Sequence, residues 1–325
     1  MLNNHTGDAA LITGANSGLG FEAAALLAEA GWGKVILSCR SDEKCTAAAT
    51  KLEERTGLKV FDVLTMDVSE SESVEAAVKT LGDRNSKVDF LLLNAGVMIG
   101  PPPVHNSKGV EVGFAVANVG HHLLTMRMIE KDLLSAHARI VIAGSEAARG
   151  DVPMFKIPDF DAIATKNFKG DLTAAMEAMA RADLDLSFNS NVLYAVSKSF
   201  SVWWASALSK KLPSGMTVNT VSPGSALDTS FARNMPFMMR KVMWPVMKAI
   251  GPYISMAGPL DVAARRYVSA ADYSDEQSGD FYASPSGKLV GPVEVHTQPH
   301  LVNDQNRNAS WEAIVKLSGG VGYPA

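Results

Sequence analysis

The sequence predicts an α/β fold, a doubly wound parallel sheet with helices on both faces. Short apolar runs alternate with helix-length segments through the first half of the chain. The runs are apolar almost throughout, as strands buried on both faces must be. A glycine-rich turn also joins the first run directly to the first helical segment, the usual anion-binding corner of such sheets. Strands are expected at Ala9–Thr13, Lys34–Cys39, 60–66, 88–94 and 139–144, with helices over 18–30, 42–55, 71–81 and roughly 110–134. Ser41 or Asp42 suits the start of the second helix and Gly57 its end. Ser69 or Ser71 suits the start of the third and Gly82 its end. Strand, helix, strand at this spacing implies right-handed crossovers.

The alternation breaks after Gly144. Residues 150–191 are polar and mixed, with a short helix expected at Leu172–Ala180. A helix over 193–211, a sixth strand at 216–221, a helix at Leu260–Ser269 and a short strand at 279–283 complete the sheet. Residues 225–259 are rich in Met, Pro and aromatics, and the tail from Gly287 carries no readable motif.

The 325 residues are 47% hydrophobic, enough for one large domain over 1–325. The net charge of −4 lacks the basic surplus of a nucleic-acid binder. No apolar run reaches the roughly 18 residues of a membrane-spanning helix. The polar first eight residues leave no room for the apolar core of a secretion signal, so a cytoplasmic location is expected. Cys39 and Cys45 are too few for a disulfide framework and are expected as reduced thiols. His121 and His122 are expected as helix packing or surface residues, with no metal.

The first strand ends in Thr13-Gly14-Ala15-Asn16-Ser17-Gly18-Leu19-Gly20, a TGxxxGxG pattern. Glycines there let backbone approach a pyrophosphate, and the next helix aims its free N–H groups at the anion. The second strand ends in Cys39-Arg40. An acidic residue there would take a ribose 2′-hydroxyl, whereas Arg40 suits a 2′-phosphate, with Lys44 placed to assist. Asp67, beside Val68, is either an acceptor for the adenine amino group or a turn residue. Asn94-Ala95-Gly96 ends the fourth strand at the same sheet edge.

Tyr194-Ala195-Val196-Ser197-Lys198 sets a phenol and an ammonium one helical turn apart. The cation is expected to lower the phenol's pKa from about 10, so that Tyr194 exchanges a proton with a substrate oxygen while hydride moves at the adjacent carbon. Ser145, just past the fifth strand, is placed to hold that oxygen.

TGxxxGxG, Asn-Ala-Gly, a serine after the fifth strand, YxxxK and Ser222-Pro223-Gly224 succeed one another as in the short-chain dehydrogenase/reductase family, which the chain resembles over about residues 8–285. The resemblance implies a single Rossmann domain and a nicotinamide cofactor. Ser145, Tyr194 and Lys198 take catalytic roles, Lys198 also holds the nicotinamide ribose, and Pro223 and Gly224 pass the carboxamide. The Cys-Arg strand end and Gly120-His121-His122-Leu123-Leu124-Thr125 resemble the retinol dehydrogenase and protochlorophyllide reductase branch, which favours NADP over NAD.

Three departures stand out. The branch's asparagine, which holds a water in its proton relay, falls at Ala117; Asn118 lies one step along, about 100° around a helix, and is the substitute candidate. Residues 150–191 form an insertion beside the substrate cleft, read as a lid, against a surface excursion or oligomer contact. Asp228 stands where the family has threonine, and Thr229 comes directly after it.

Phe231, Met235, Phe237, Met238, Met239, Met243, Trp244 and Met247 crowd the segment expected over the substrate. Methionines fit irregular apolar shapes, so a bulky hydrophobic ketone, aldehyde or alcohol is expected. A core or dimer surface, or a membrane-touching patch, are the other readings. The chain thus reads as an NADP(H)-dependent oxidoreductase, or alternatively as a non-catalytic NADP(H)-binding regulator of the same fold. A homodimer or homotetramer through the YxxxK helix is implied by the resemblance.

Overall fold

Five of the first six expected strands begin and end within a residue of where the sequence puts them. The computed structural model describes residues 5–84, 87–183, 189–226 and 257–324. The strands are β1 (Ala9–Thr13), β2 (Lys34–Cys39), β3 (Phe61–Thr65), β4 (Val88–Leu93), β5 (Leu134–Ala143), β6 (Thr217–Val221), β7 (Phe281–Ala283) and β8 (Glu294–Val295). They form one sheet in the order β3-β2-β1-β4-β5-β6-β7-β8. Every pairing is parallel except β7 with β8. This is a Rossmann-type sheet, whose strand order reverses between β1 and β4 and opens a crevice at the strand C-termini.

The helices are α1 (Gly18–Glu29), α2 (Asp42–Thr56), α3 (Ser71–Asp83), α4 (Val112–Phe114), α5 (His121–Glu130), α6 (Phe160–Phe168), α7 (Leu172–Ala180), α8 (Ser190–Ser209), α9 (Leu260–Ser269) and α10 (Asp304–Leu317). A π-helical turn, Ala115–Gly120, joins α4 to α5. Two apolar layers cover the sheet. Ala23, Ala24, Leu27 and Tyr267 of α1 and α9 pack on Ile12, Leu37 and Leu92. Val74, Leu124, Phe200 and Trp204 of α3, α5 and α8 pack on Leu11, Leu91 and Ile140 opposite. Alternate strand residues feed the two layers, which is why the runs are apolar throughout.

Several expectations are corrected. β5 starts at Leu134, so the helix expected to 134 ends at Glu130. Glu70, not Ser69 or Ser71, holds the cap position of α3, which runs through Gly82 to Asp83. Ser41 and Gly57 flank α2 as expected, and Ser41 accepts from the Lys44 N–H. The thiol expectation is overturned: Cys39 and Cys45 form a disulfide, their Cα atoms 5.6 Å apart. The Arg40-Ser41 turn brings the end of β2 and the first turn of α2 into bridging range. The tail beyond Gly287, without a motif of its own, supplies β8 and α10.

Residues 150–191 are also more than a loop. Helices α6 and α7 pack on each other, and α7 and α10 both pack on α8. Phe160 meets Trp203 edge-on, rings 5.3 Å apart. Trp204 donates to His122 Nδ1 at 3.0 Å, and His122 Nε2 donates to the Val321 carbonyl at 2.7 Å. Part of the YxxxK helix, through which the resemblance implies subunit contacts, is therefore covered by the chain itself. The Met-rich residues 231–247, with Asp228 and Thr229, lie outside the described residues.

Candidate active site

The turn after β1 is set by contacts between strand ends. Gly14 and Ala15 donate backbone N–H groups to the Ser38 carbonyl at 2.8 and 3.2 Å. Asn94 Nδ2 donates to the Thr13 carbonyl at 2.8 Å, tying β4 to the turn. A Cβ at Gly20 would lie 2.5 Å from that Nδ2 and 2.6 Å from the Gly14 carbonyl, so the first turn of α1 sits this close only as glycine. The Thr13 hydroxyl accepts from the Ala95 N–H at 2.9 Å and donates to His121 Nε2 at 2.9 Å. His121 Nδ1 in turn donates to the Ala117 carbonyl at 3.2 Å. His121 is thus neutral, and burial lowers its pKa to about 3.

The turn fits a dinucleotide. Ser17 precedes α1 but makes no side-chain capping bond, and the first turn has no acidic residue. The helix's first N–H groups and positive dipole end are left to an anion. Asn16, Ser17, Gly18 and Leu19 are half-buried along the crevice. Arg40 is exposed at the end of β2 and makes no ion pair among the described residues. Asp67 is spent partly on its own loop: Oδ1 accepts from the Ser69 N–H and hydroxyl at 2.9 and 2.6 Å. Val68 is buried, and its carbonyl abuts Gly120.

The catalytic candidates converge at the other side of the crevice. Ser145 follows Gly144 after β5, and its hydroxyl acts to lower the Tyr194 pKa. Lys198 is buried one turn along α8, its Nζ 5.8 Å from the Tyr194 ring centroid and donating to the Ala143 carbonyl at 2.7 Å. Burial lowers its pKa to about 8. Tyr194 moves opposite to expectation. Burial raises it above 10, the Ser145 hydrogen bond opposes the rise, and the Glu146 charge adds to it. In the protein alone Tyr194 is therefore a phenol at neutral pH, a proton donor.

Asn118 lies in the π turn, its side chain turned onto α8. Nδ2 donates to the Ser197 carbonyl and hydroxyl at 3.1 and 2.9 Å, and Oδ1 accepts from Ser201 at 3.1 Å. It fixes the helix that carries Lys198 and forms none of these bonds with Ser145 or Tyr194. Pro223 and Gly224 face the crevice from the end of β6, half-buried.

Two site residues carry no mark in the sequence. Phe155, from the insertion, rests its ring 5.5 Å from that of Tyr194. Glu146 is buried beside Ser145 and accepts from Ser222 and Ser284. Neither has a telling spacing: Glu146 opens a 3-10 turn at Glu146–Arg149, and Phe155 comes from the loop ahead of α6.

A dinucleotide cradle, an exposed arginine at the second strand and a Ser-Tyr-Lys set on one crevice define an oxidoreductase of the nicotinamide type. The short chain dehydrogenase family model matches residues 8–177, and the chain belongs to that family. It is 32% identical to human retinol dehydrogenase 13 over 222 residues, which are 68% of this chain and 59% of that protein. It is 26% identical to the chloroplastic protochlorophyllide reductase of Chlamydomonas reinhardtii over 321 residues, 95% of this chain and 77% of that one. Its fold is similar to that of a short chain dehydrogenase from Burkholderia cenocepacia in complex with NADP, with a TM-score of 0.59 and 23% identity over 86% of this chain and 96% of that one. Among the described residues no helix is long and apolar enough to cross a membrane, and no cluster of side chains suits a metal.

Proposed function

We propose that the chain is an NADP(H)-dependent oxidoreductase that interconverts a bulky hydrophobic ketone or aldehyde and its alcohol. The observation that carries this is Lys198, buried one turn along α8 from Tyr194 with its Nζ 5.8 Å from that ring, beside Ser145 and on the sheet edge that holds the glycine-rich turn and Arg40. When bound, the nicotinamide ring exchanges the hydride. Ser145 orients the substrate oxygen, and Tyr194 supplies its proton from the phenol hydroxyl. Lys198 retains donors beyond the Ala143 carbonyl for a ribose hydroxyl. A protonated Tyr194 at neutral pH can serve as the acid when the reaction runs as a reduction. Arg40, with exposed Lys44 on the next turn, is assigned the 2′-phosphate.

The insertion is assigned two tasks. Phe155 screens the mouth above Tyr194, and α6 and α7 close the outer face of α8. A homodimer or homotetramer therefore needs a face other than that one. A hydrophobic substrate rests on the Met-rich composition of 225–259 and on Phe155. The second reading, a regulator that binds NADP(H) without turnover, is favoured by one feature, the turning of Asn118 onto α8.

The test is NADPH oxidation across a panel of hydrophobic ketones and aldehydes. Tyr194→Phe should lower kcat/KM about 10²–10⁴-fold, the usual worth of a general acid, while NADPH affinity stays within about 3-fold. NADPH binding by both proteins with no turnover by either would favour the regulator.

A further inference from the structure

The bridge between Cys39 and Cys45 closes a ring around the turn assigned to the 2′-phosphate, and the Ser-Tyr-Lys chemistry makes no use of it. Arg40 directly follows Cys39 and Lys44 directly precedes Cys45, so both cations lie inside the ring, and both are exposed. The ring also holds Asp42 and Glu43, exposed carboxylates that balance the two cations. A turn without net charge attracts a phosphate only when its cations are presented and its acids are turned aside. Asp42 is so turned: its Oδ1 accepts from the Thr65 hydroxyl of β3 at 3.3 Å. Within the ring, Ser41 Oγ accepts from the Lys44 N–H at 3.5 Å, a long bond, and the Ser41 carbonyl accepts from the Cys45 N–H at 3.0 Å. The disulfide adds a covalent tie to these, with the Cα atoms 5.6 Å apart. A ligand binds more tightly where the groups that hold it are already ordered.

We propose that Cys39 and Cys45 are a redox-modification site that sets the preference for NADPH over NADH: bridged, they hold Arg40 and Lys44 ready for the 2′-phosphate, and opened, they let the turn relax. This rests on the assignment of Arg40 to the 2′-phosphate. The fold accommodates the open pair as well as the closed one. Cys45 Sγ lies 3.0 Å from the Leu37 carbonyl oxygen, an acceptor for its thiol once the bridge is opened. Both cysteines belong to the apolar layer under α1, where a thiol packs as a small hydrophobe. Cys39 is 4% exposed and Cys45 fully buried, so a reductant enters at Cys39, through the exposed Arg40 turn. The reductant is a small dithiol. Its thiolate bonds to the Cys39 sulfur as the S–S electron pair passes to the Cys45 sulfur, which takes up a proton. Its second thiol then bonds to its first and releases Cys39 as a thiol. Two electrons and two protons reach the protein, and the dithiol leaves as a cyclic disulfide.

The experiment needs no substrate. The full chain is oxidised with diamide or reduced with dithiothreitol, and thiol counting on denatured samples confirms the state of its two cysteines. Fluorescence titration then gives Kd for NADPH and NADH. Reduction should raise the Kd of NADPH roughly 3- to 10-fold and leave that of NADH within about 2-fold. Cys39→Ala/Cys45→Ala should bind both cofactors as the reduced chain does, after either treatment. If that variant does not fold, the two states of the wild type decide the matter. Linkage supplies a second readout, because NADPH must favour the bridged form by the factor by which bridging favours NADPH. In a dithiothreitol redox buffer that leaves the pair half bridged, saturating NADPH should raise the bridged fraction and NADH should not. Unchanged NADPH affinity on reduction, an equal loss for both cofactors, or no bridge after diamide would overturn the proposal. Arg40→Ala in the oxidised chain separates the two layers. If it spares the NADPH preference, the phosphate assignment falls and the switch with it. If it removes the preference while reduction of the wild type leaves that preference intact, the switch alone falls.

Discussion

Arg40 stands in solvent at the end of β2 with its guanidinium donors uncommitted to any acid among the described residues. A planar fork of donors recognises a phosphate by two parallel bonds, each charge-assisted and worth about 1.5–3 kcal/mol. Arg40→Ala should therefore weaken NADPH binding about 10- to 100-fold and NADH binding by less than about 3-fold. Fluorescence titration with both cofactors reads this directly, and equal losses would detach Arg40 from the 2′-phosphate. The motif residues Thr13, Gly14, Asn94, Ser145, Tyr194 and Lys198 are legible because fixed spacing carries them to the sheet edge. Glu146 and Phe155 are not, since each acts through partners far along the chain. The Tyr194 shift runs against its sequence expectation for a related reason. Spacing announces the lysine, but burial of the phenol shows only when the chain is folded.

At the scale of elements, the helix expected over 110–134 is a composite, α4, a π turn and α5. The wide turn admits one extra residue, and from within it Asn118 meets Ser197 and Ser201. Gly120 closes this turn against β3's exit loop. A Cβ there would fall 1.8 Å from the Val68 carbonyl oxygen, a backbone atom that cannot swing aside. Gly120→Ala should cost about 1–3 kcal/mol of stability as helix and loop separate. Val68 directly follows Asp67, the candidate acceptor for the adenine amino group, so NADPH affinity should fall with it. Urea unfolding that leaves the variant within about 0.5 kcal/mol of wild type would show the loop to be compliant. Strand positions are readable to a residue or so from apolar runs. The π turn is not, because nothing in the 110–134 pattern departs from ordinary helical periodicity.

For the molecule as a whole, the C-terminal segment is anchored by a buried histidine. His122 receives the Trp204 N–H and donates to the Val321 carbonyl, and Trp311 of α10 packs edge-on against it at 5.3 Å. Accepting from Trp204 at Nδ1 requires the neutral ring, whereas donation to Val321 does not. Burial lowers its pKa to about 4, and that of His121 to about 3. Both values lie below the unfolded value near 6.5, so on acidification the unfolded chain takes up protons first. The stability from each ring is complete above about pH 6.5 and is lost as the pH falls towards about 4 for His122 and about 3 for His121. Between pH 7 and 5, His122 alone should account for about 2 kcal/mol of lost stability, from about 1.4 kcal/mol per unit. His122→Gln keeps a donor and an acceptor but does not titrate. Its unfolding free energy should fall about 2 kcal/mol less than that of wild type over this range. Identical pH slopes would mean that His122 is protonated in the native state.

The order of residues alone dictates the alternation of buried strands and helices, the glycine corner, the basic end of β2 and the Ser-Tyr-Lys spacing. Each depends on neighbours within one element or on a turn between two, where backbone sterics and periodicity suffice. Folding settles what long-range contact creates. It pairs Cys39 with Cys45 across a tight turn, lays α7 and α10 over α8, turns Asn118 onto α8 and gathers Glu146, Ser222, Arg266 and Ser284 into one buried cluster. Charge and dehydration at these places depend on everything packed around them, and that sum is not written in any local stretch of sequence.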